Sequence, residues 1–394
     1  MGIHSEASLA KLPALDAEMR RRLWWALVLF DTRMSETTNH GNVTLNPTWD
    51  CKVPLNVNDS DLRPGMKEPP IVQGKTTDAL FAVVRCKLGD FIRHNTLHLD
   101  ITNPVLKQIV RGSPRGSSSA DNVDDISRLE AEIEDQYLKF CDEENPLHFL
   151  TIWTTRVNIA KWRLMEHCLK YIDDSSMART ETQRDMATSF AMRVLQCDTT
   201  IMSSPLIKGF VWLHHLYFPF PAYLQVAQDL RTRPHSKLNR QAWDVLSDNY
   251  VAWTIFLDDE ATRRNSPVFL IFAKLILQAW QASKATGEFP TEPKIVTSIL
   301  EITAETTMAP LEGTSASMGQ SYNAMEMRID DEVSMSMPMP MNFVDQHLPF
   351  DMAVRDRLMI GPGLHSNLGP HPAWGLQDPF SWNVLRSHPG WGGL

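Results

Sequence analysis

Several protein classes are excluded by what this sequence lacks. Although 43% of its 394 residues are hydrophobic, no run approaches the roughly 18 apolar residues of a membrane span. Between Met1 and Leu12 no basic segment leads into a long apolar stretch, so a secretory signal is not expected. Cysteine is scarce: Cys51, Cys86, Cys141, Cys168 and Cys197 are odd in number and far apart. That argues against a disulfide framework or a CxxC zinc cluster and fits a reducing compartment. A cationic excess is missing too. With 47 acids against 38 bases the net charge is −9, the opposite sign to a strongly basic nucleic-acid binder. GxSxG, GxGxxG, P-loop and HExxH patterns are all absent. The classes left are a soluble intracellular enzyme, a scaffold or a regulator.

No segment reads as a row of alternating strands, and no period of about 20 to 50 residues recurs. Helical periodicity dominates instead. Residues Leu15 to Glu36 read as a helix with Asp16 as N-cap, and Leu23, Leu27, Phe30 and Met34 share one face. Prolines 47, 54, 64, 69 and 70 break the stretch from Gly41 to Pro70. Helices are then predicted over Thr76 to His98, Val123 to Phe140, from Asn145-Pro146 through Leu169, Glu181 to Met202, Asn239 to Leu257 and Pro267 to Ala282. The fold class predicted is all-α. One body covers residues 1–285, with a Gly/Ser-rich flexible linker near 112–121.

From Thr286 the helical pattern decays into a segment of different composition. Residues 301–394 hold 11 acids and 4 bases, a net of −7, which leaves 36 acids and 34 bases before them. Ten of the 19 methionines also lie there. Residues 286–394 are therefore expected to be a disordered, acidic, Met/Pro/Gly-rich tail. Within it Glu326, Asp330, Asp331 and Glu332 interleave with Met325, Met327, Ile329 and Val333. Acidic and bulky apolar residues mixed in this way suit the capture of a coactivator.

Two motifs carry a resemblance. The first is Glu18-Met-Arg20-Arg21-Arg22-Leu-Trp24-Trp25, closing on Asp31 and Ser35. The second is Lys52-Val-Pro54-Leu-Asn56-Val-Asn58-Asp59-Ser-Asp61. Together they resemble the fungal-specific transcription factor domain, or middle homology region, of fungal binuclear zinc-cluster transcription factors. Thr77-Asp78, Tyr137-Leu138 and Asn145-Pro146-Leu147-His148 extend the similarity, which covers about Gly2 to Cys168 well and the rest weakly. In that family the named residues are structural. The family's six-cysteine DNA-binding module has no counterpart here, and Met1 to Glu6 resembles a segment inside the domain of relatives. The resemblance thus implies an N-terminally shortened member, with no zinc or other cofactor in this chain.

Read as chemistry, the same residues stay modest. Arg20, Arg21 and Arg22 suit a solvated helix face better than a phosphate-tracking surface, because each contacted phosphate wants its own cation. Trp24 and Trp25 point about 100° apart on a helix, one towards the core and one towards a seam between helices. Asp31, among apolar residues, needs a cation or hydrogen-bond donors, and a nearby arginine is the expected partner. Asp59 and Asp61 fit turn capping. His94 and His98 have a metal-compatible spacing but no third ligand. His214-His215 reads as core plus surface, and Asp258-Asp259-Glu260 as a charged helix end facing Arg263 and Arg264. No catalytic, metal or cofactor-binding residue is assigned.

The resemblance implies a nuclear regulator of RNA polymerase II transcription, serving a secondary-metabolite or catabolic gene cluster. It would act through protein partners: a homodimer, a full-length relative, or a coactivator on the tail. Direct DNA binding and membrane association are not expected, and any small-molecule effector is unspecified. The alternatives are a partner-dependent or inactive remnant, or an all-α enzyme.

Overall fold

The computed structural model describes residues 2–37, 45, 48–72, 76–95, 122–170, 180–214, 217–254, 267–289 and 291–308. Among them are eleven α-helices and no strand. They are α1 (Glu6–Leu9), α2 (Ala14–Thr37), α3 (Leu80–His94), α4 (Asn122–Gln136), α5 (Pro146–Lys170) and α6 (Glu181–Met202). After these come α7 (Val211–His214), α8 (Phe220–Thr232), α9 (Asn239–Thr254), α10 (Pro267–Ala285) and α11 (Lys294–Met308). The linker at 112–121, His98, His215, the Asp258–Glu260 cluster with Arg263 and Arg264, and the tail from 309 lie outside the described residues.

Helix starts follow local chemistry. Asn145 precedes α5, where its Oδ1 accepts the N–H groups of Leu147 (2.9 Å) and His148 (3.3 Å), and Pro146 fills a first-turn site that needs no donor. Thr180 starts α6 with a reciprocal pair: Gln183 N–H donates to Thr180 Oγ1, and Thr180 N–H to Gln183 Oε1 at 2.8 Å. Asp16 does not cap α2 as expected. The helix begins earlier, at Ala14, whose N–H is taken by the Met66 carbonyl at 2.7 Å, and Asp16 sits in its first turn.

The largest core cluster joins α5, α6, α8, α9, α10 and α11 around Leu195, Val226, Trp243, Leu246 and Ile276. A second joins α3, α4 and α5 through Leu80, Ile133 and Trp162. A third gathers α1, α2, the loop around Cys51, and Cys86 of α3. The helical body runs past residue 285, where the sequence pattern decays: α11 places Ile295, Val296 and Ile299 fully inside the core. The turn at Gly287, whose φ is +72°, separates α10 from α11 and masks the continuity of the pattern.

The face of α2 carrying Leu23, Leu27 and Phe30 points outward, with Leu23 52% and Phe30 49% exposed. The buried face is instead Ala17, Glu18, Trp24, Trp25, Val28 and Thr32. Gly89 of α3 faces this side; a Cβ there would meet the Leu29 side chain at 2.7 Å. The missing side chain lets the two helices approach.

Candidate functional site

The Arg-Trp-Trp motif and the Asn-Asp-Ser-Asp loop, separated in sequence, form one site along α2. Glu18 is completely buried, and its Oε1 accepts the Leu55 N–H at 3.0 Å. Arg22 Nε stands 3.5 Å from the same oxygen and Arg21 Nη1 3.6 Å from Oε2. Burial pushes the Glu18 carboxyl above its ordinary value, against the pull of Leu55 N–H and the two arginines.

Each neighbouring arginine has a second carboxylate. Arg21 makes a two-pronged contact with Glu6, Nε at 2.9 Å and Nη2 at 2.7 Å, a geometry that suits the planar guanidinium. The Arg21 contact holds Glu6 below the usual carboxylate range. Glu6 also takes the Lys52 N–H at 2.8 Å. Arg22 reaches Asp59 at 2.7 Å. Only Arg20 of the three stands exposed; Arg21 and Arg22 are engaged with Glu6, Glu18 and Asp59.

The loop is secured at further points. Trp25 Nε1 donates to the Lys52 carbonyl at 2.8 Å, and Pro54 is buried beside it. Asp61 Oδ2 accepts from the backbone and side-chain amides of Asn58, both at 3.3 Å. Asn58 in turn accepts the Asp78 N–H at 3.3 Å, and Asp78 accepts the Asp59 N–H at 3.2 Å. Asp59 and Asp61 thus cap and latch.

Farther along α2, Asp31 and Arg93 of α3 form an ion pair at 2.6 Å, with Arg93 only 1% exposed. Leu45 bridges both, its N–H donating to Asp31 at 3.1 Å and its carbonyl accepting from Arg93 at 3.0 Å. Burial lowers the Arg93 pKa, against the favourable charge of Asp31. Trp24 and Trp25 are both buried in one cluster, each meeting the Trp49 ring edge-on at 5.6 and 6.0 Å. Ser35 lies in the last turns of α2. His94 Nδ1 faces the Asp90 carbonyl at 2.8 Å. Among the described residues no three His, Cys, Asp or Glu side chains converge as metal ligands, and no helix is long and apolar enough to cross a membrane.

A polar centre that sequence reasoning missed lies in the main core. Asp198 of α6 is 2% exposed, and its Oδ2 accepts from Trp253 Nε1 at 2.6 Å and Asn249 Nδ2 at 2.9 Å. Tyr223 Oη donates to Asn249 Oδ1 at 2.6 Å. Burial drives the Asp198 carboxyl up to about 6 and raises the Tyr223 phenol further. Nothing in the spacing of Asp198, Tyr223, Asn249 and Trp253 announced the set, because it converges from three helices.

No known protein-family profile matches the chain, and no solved structure matches it. Curated relatives do. The chain is 38% identical over 385 residues to the transcriptional regulator AacuB of Aspergillus aculeatus, covering 96% of this chain and 49% of that one. It is 38% identical over 348 residues to the transcriptional regulator nsrM of Aspergillus novofumigatus, 87% of this chain and 46% of that one. A third relative is the aurofusarin cluster transcription factor aurR2 of Gibberella zeae, 29% identical over 71% of this chain and 40% of that one. The chain spans about half the length of the curated relatives it matches first.

Proposed function

With homologues that are fungal cluster transcription regulators along nearly its whole length, we propose that this protein regulates RNA polymerase II transcription of a fungal biosynthetic gene cluster. The observation that carries the reading is the 38% identity to AacuB across 96% of the chain. The helical body is, on this reading, the regulatory middle region of a zinc-cluster-type factor. The latch between α2 and the 52–61 loop is its structural signature. The protein works in the nucleus, as a regulator and not a catalyst. On this reading the chain works with a protein partner: a second copy, a full-length relative, or a coactivator held by the acidic tail.

Deletion of its coding sequence from the organism that encodes it tests the reading. The expected result is a changed transcript level for a contiguous set of biosynthetic genes, measured by RNA sequencing, and restoration by a re-introduced copy. An unchanged transcriptome under conditions where the protein is expressed would overturn it. A tagged copy should collect in the nucleus, and exclusion from it would count equally against the proposal.

A further inference from the structure

The connection between α6 and α7 opens on a serine followed by a proline. Ser204-Pro205 is the only Ser-Pro or Thr-Pro pair among the described residues. Ser203 and Pro205 are exposed, as are Lys208 and Gly209, and Ser204 itself is partly exposed. The Ser204 backbone is extended, with φ −85° and ψ 131°. Its N–H donates to the Ile201 carbonyl at 3.1 Å. Its hydroxyl has one weak tie, accepting the Leu206 N–H at 3.3 Å. Proline has no N–H, so the position after the serine can enter an apolar pocket without stranding a donor. An accessible hydroxyl on extended backbone before a proline is the substrate form that a proline-directed kinase takes into its cleft.

We propose that Ser204 is a phosphorylation site for a proline-directed serine/threonine kinase, and that its phosphate loosens the end of α6. In the transfer a bond forms between Ser204 Oγ and the γ-phosphorus of ATP, and the bond from that phosphorus to its bridging oxygen breaks. ADP leaves, and the hydroxyl proton passes to the kinase's general base. The product adds a charge of about −1.5 to −2 at pH 7. Ser203 is the C-cap of the 22-residue α6, so this charge lands beside the carbonyl end of the helix, the negative end of its dipole. Lys208 is the only charged side chain from Ser203 to Leu213, and one lysine does not neutralise a dianion. Core lies directly beneath. Ile201 and Ile207 are completely buried and cluster with Leu150, Met202 and Trp253. Trp253 Nε1 also donates to Asp198, so a shift at the end of α6 is passed to the buried polar centre.

The full chain is incubated with Mg-ATP and either a recombinant mitogen-activated protein kinase or a recombinant cyclin-dependent kinase. Mass spectrometry then locates the phosphate. At least one kinase should modify most of the Ser204 in the folded chain. Pro205→Ala, at an exposed position, should slow that modification roughly tenfold or more. Ser113-Pro114 and Ser266-Pro267 are the other two such pairs in the chain, and Ser204→Ala treated alike cancels any contribution from them. Each protein is melted before and after treatment. The wild type should lose about 2–4 °C more than Ser204→Ala. A folded chain whose Ser204 neither kinase modifies would overturn the proposal, most directly if a peptide of residues 199–209 is modified, because the fold then hides the hydroxyl. Full modification of Ser204 with equal thermal shifts in the two proteins would overturn it as well, as would a Pro205→Ala chain modified at the wild-type rate. Each outcome holds whichever genes the protein regulates.

Discussion

The Leu55 backbone N–H donates to the Glu18 carboxylate at 3.0 Å, across 37 residues of chain. This bond puts a completely buried acid at the point where a proline-rich loop crosses α2. Two arginines one turn away offset part of the burial cost. From α2, Glu18 takes the Leu55 N–H and Trp25 donates to the Lys52 carbonyl, while Glu6 of α1 takes the Lys52 N–H.

Glu18→Ala would leave the Leu55 N–H unpaired and remove the shared counter-charge of Arg21 and Arg22. A loss of about 2–4 kcal/mol is expected, read as a lower urea midpoint. Glu18→Gln keeps the acceptor and should lose less. Equal losses for the two variants would show that the hydrogen bond is not what holds the loop.

The Asp31–Arg93 pair should be asymmetric to mutation. Asp31→Ala strands a guanidinium that is 1% exposed and should cost about 3–5 kcal/mol. Asp31→Asn retains an acceptor for the Leu45 N–H and should fall between that variant and wild type. Chemical denaturation of the three proteins under one set of conditions makes the comparison.

Asp198 predicts a pH effect of definite sign. Its folded carboxyl titrates at about 6 against an ordinary 3.8, so the folded state prefers the protonated form. Its contribution to stability is full below the ordinary value and is lost as pH rises through about 6. The loss reaches about 3 kcal/mol above neutrality. Asp198→Asn should flatten this part of the stability profile while keeping an acceptor for Trp253 Nε1. Stability measured from pH 4 to 8 in both proteins decides it; parallel profiles would refute the assignment.

The thiols should be inert in the folded protein. Burial raises the Cys51 thiol to about 12 and the Cys141 thiol to about 11; Cys86 and Cys197 are also raised by burial. At pH 8 a thiol reagent should label the native chain slowly, Cys141 first because it is only partly buried. In denaturant all five should react rapidly. Fast labelling of Cys51 under native conditions would contradict its environment.

Helical periodicity alone determined the all-α class and most element boundaries. The helix pattern from Glu181 to Met202 is legible in the sequence, and α6 has those ends. The two motifs along α2 and the 52–61 loop were equally visible as unusual runs of residue types. Which face of α2 turns inward was not legible. Apolar residues lie on more than one side of that helix, and the choice fell to Trp25, Val28 and the close approach at Gly89. The Asp198 centre was invisible for a related reason, since Tyr223, Asn249 and Trp253 reach it from α8 and α9. Local sequence carries the 3.6-residue repeat because each turn is built from neighbours in the chain. The pairing of Glu18 with Leu55, and of Asp31 with Arg93, depends on where whole helices come to rest, and only the tertiary structure decides that.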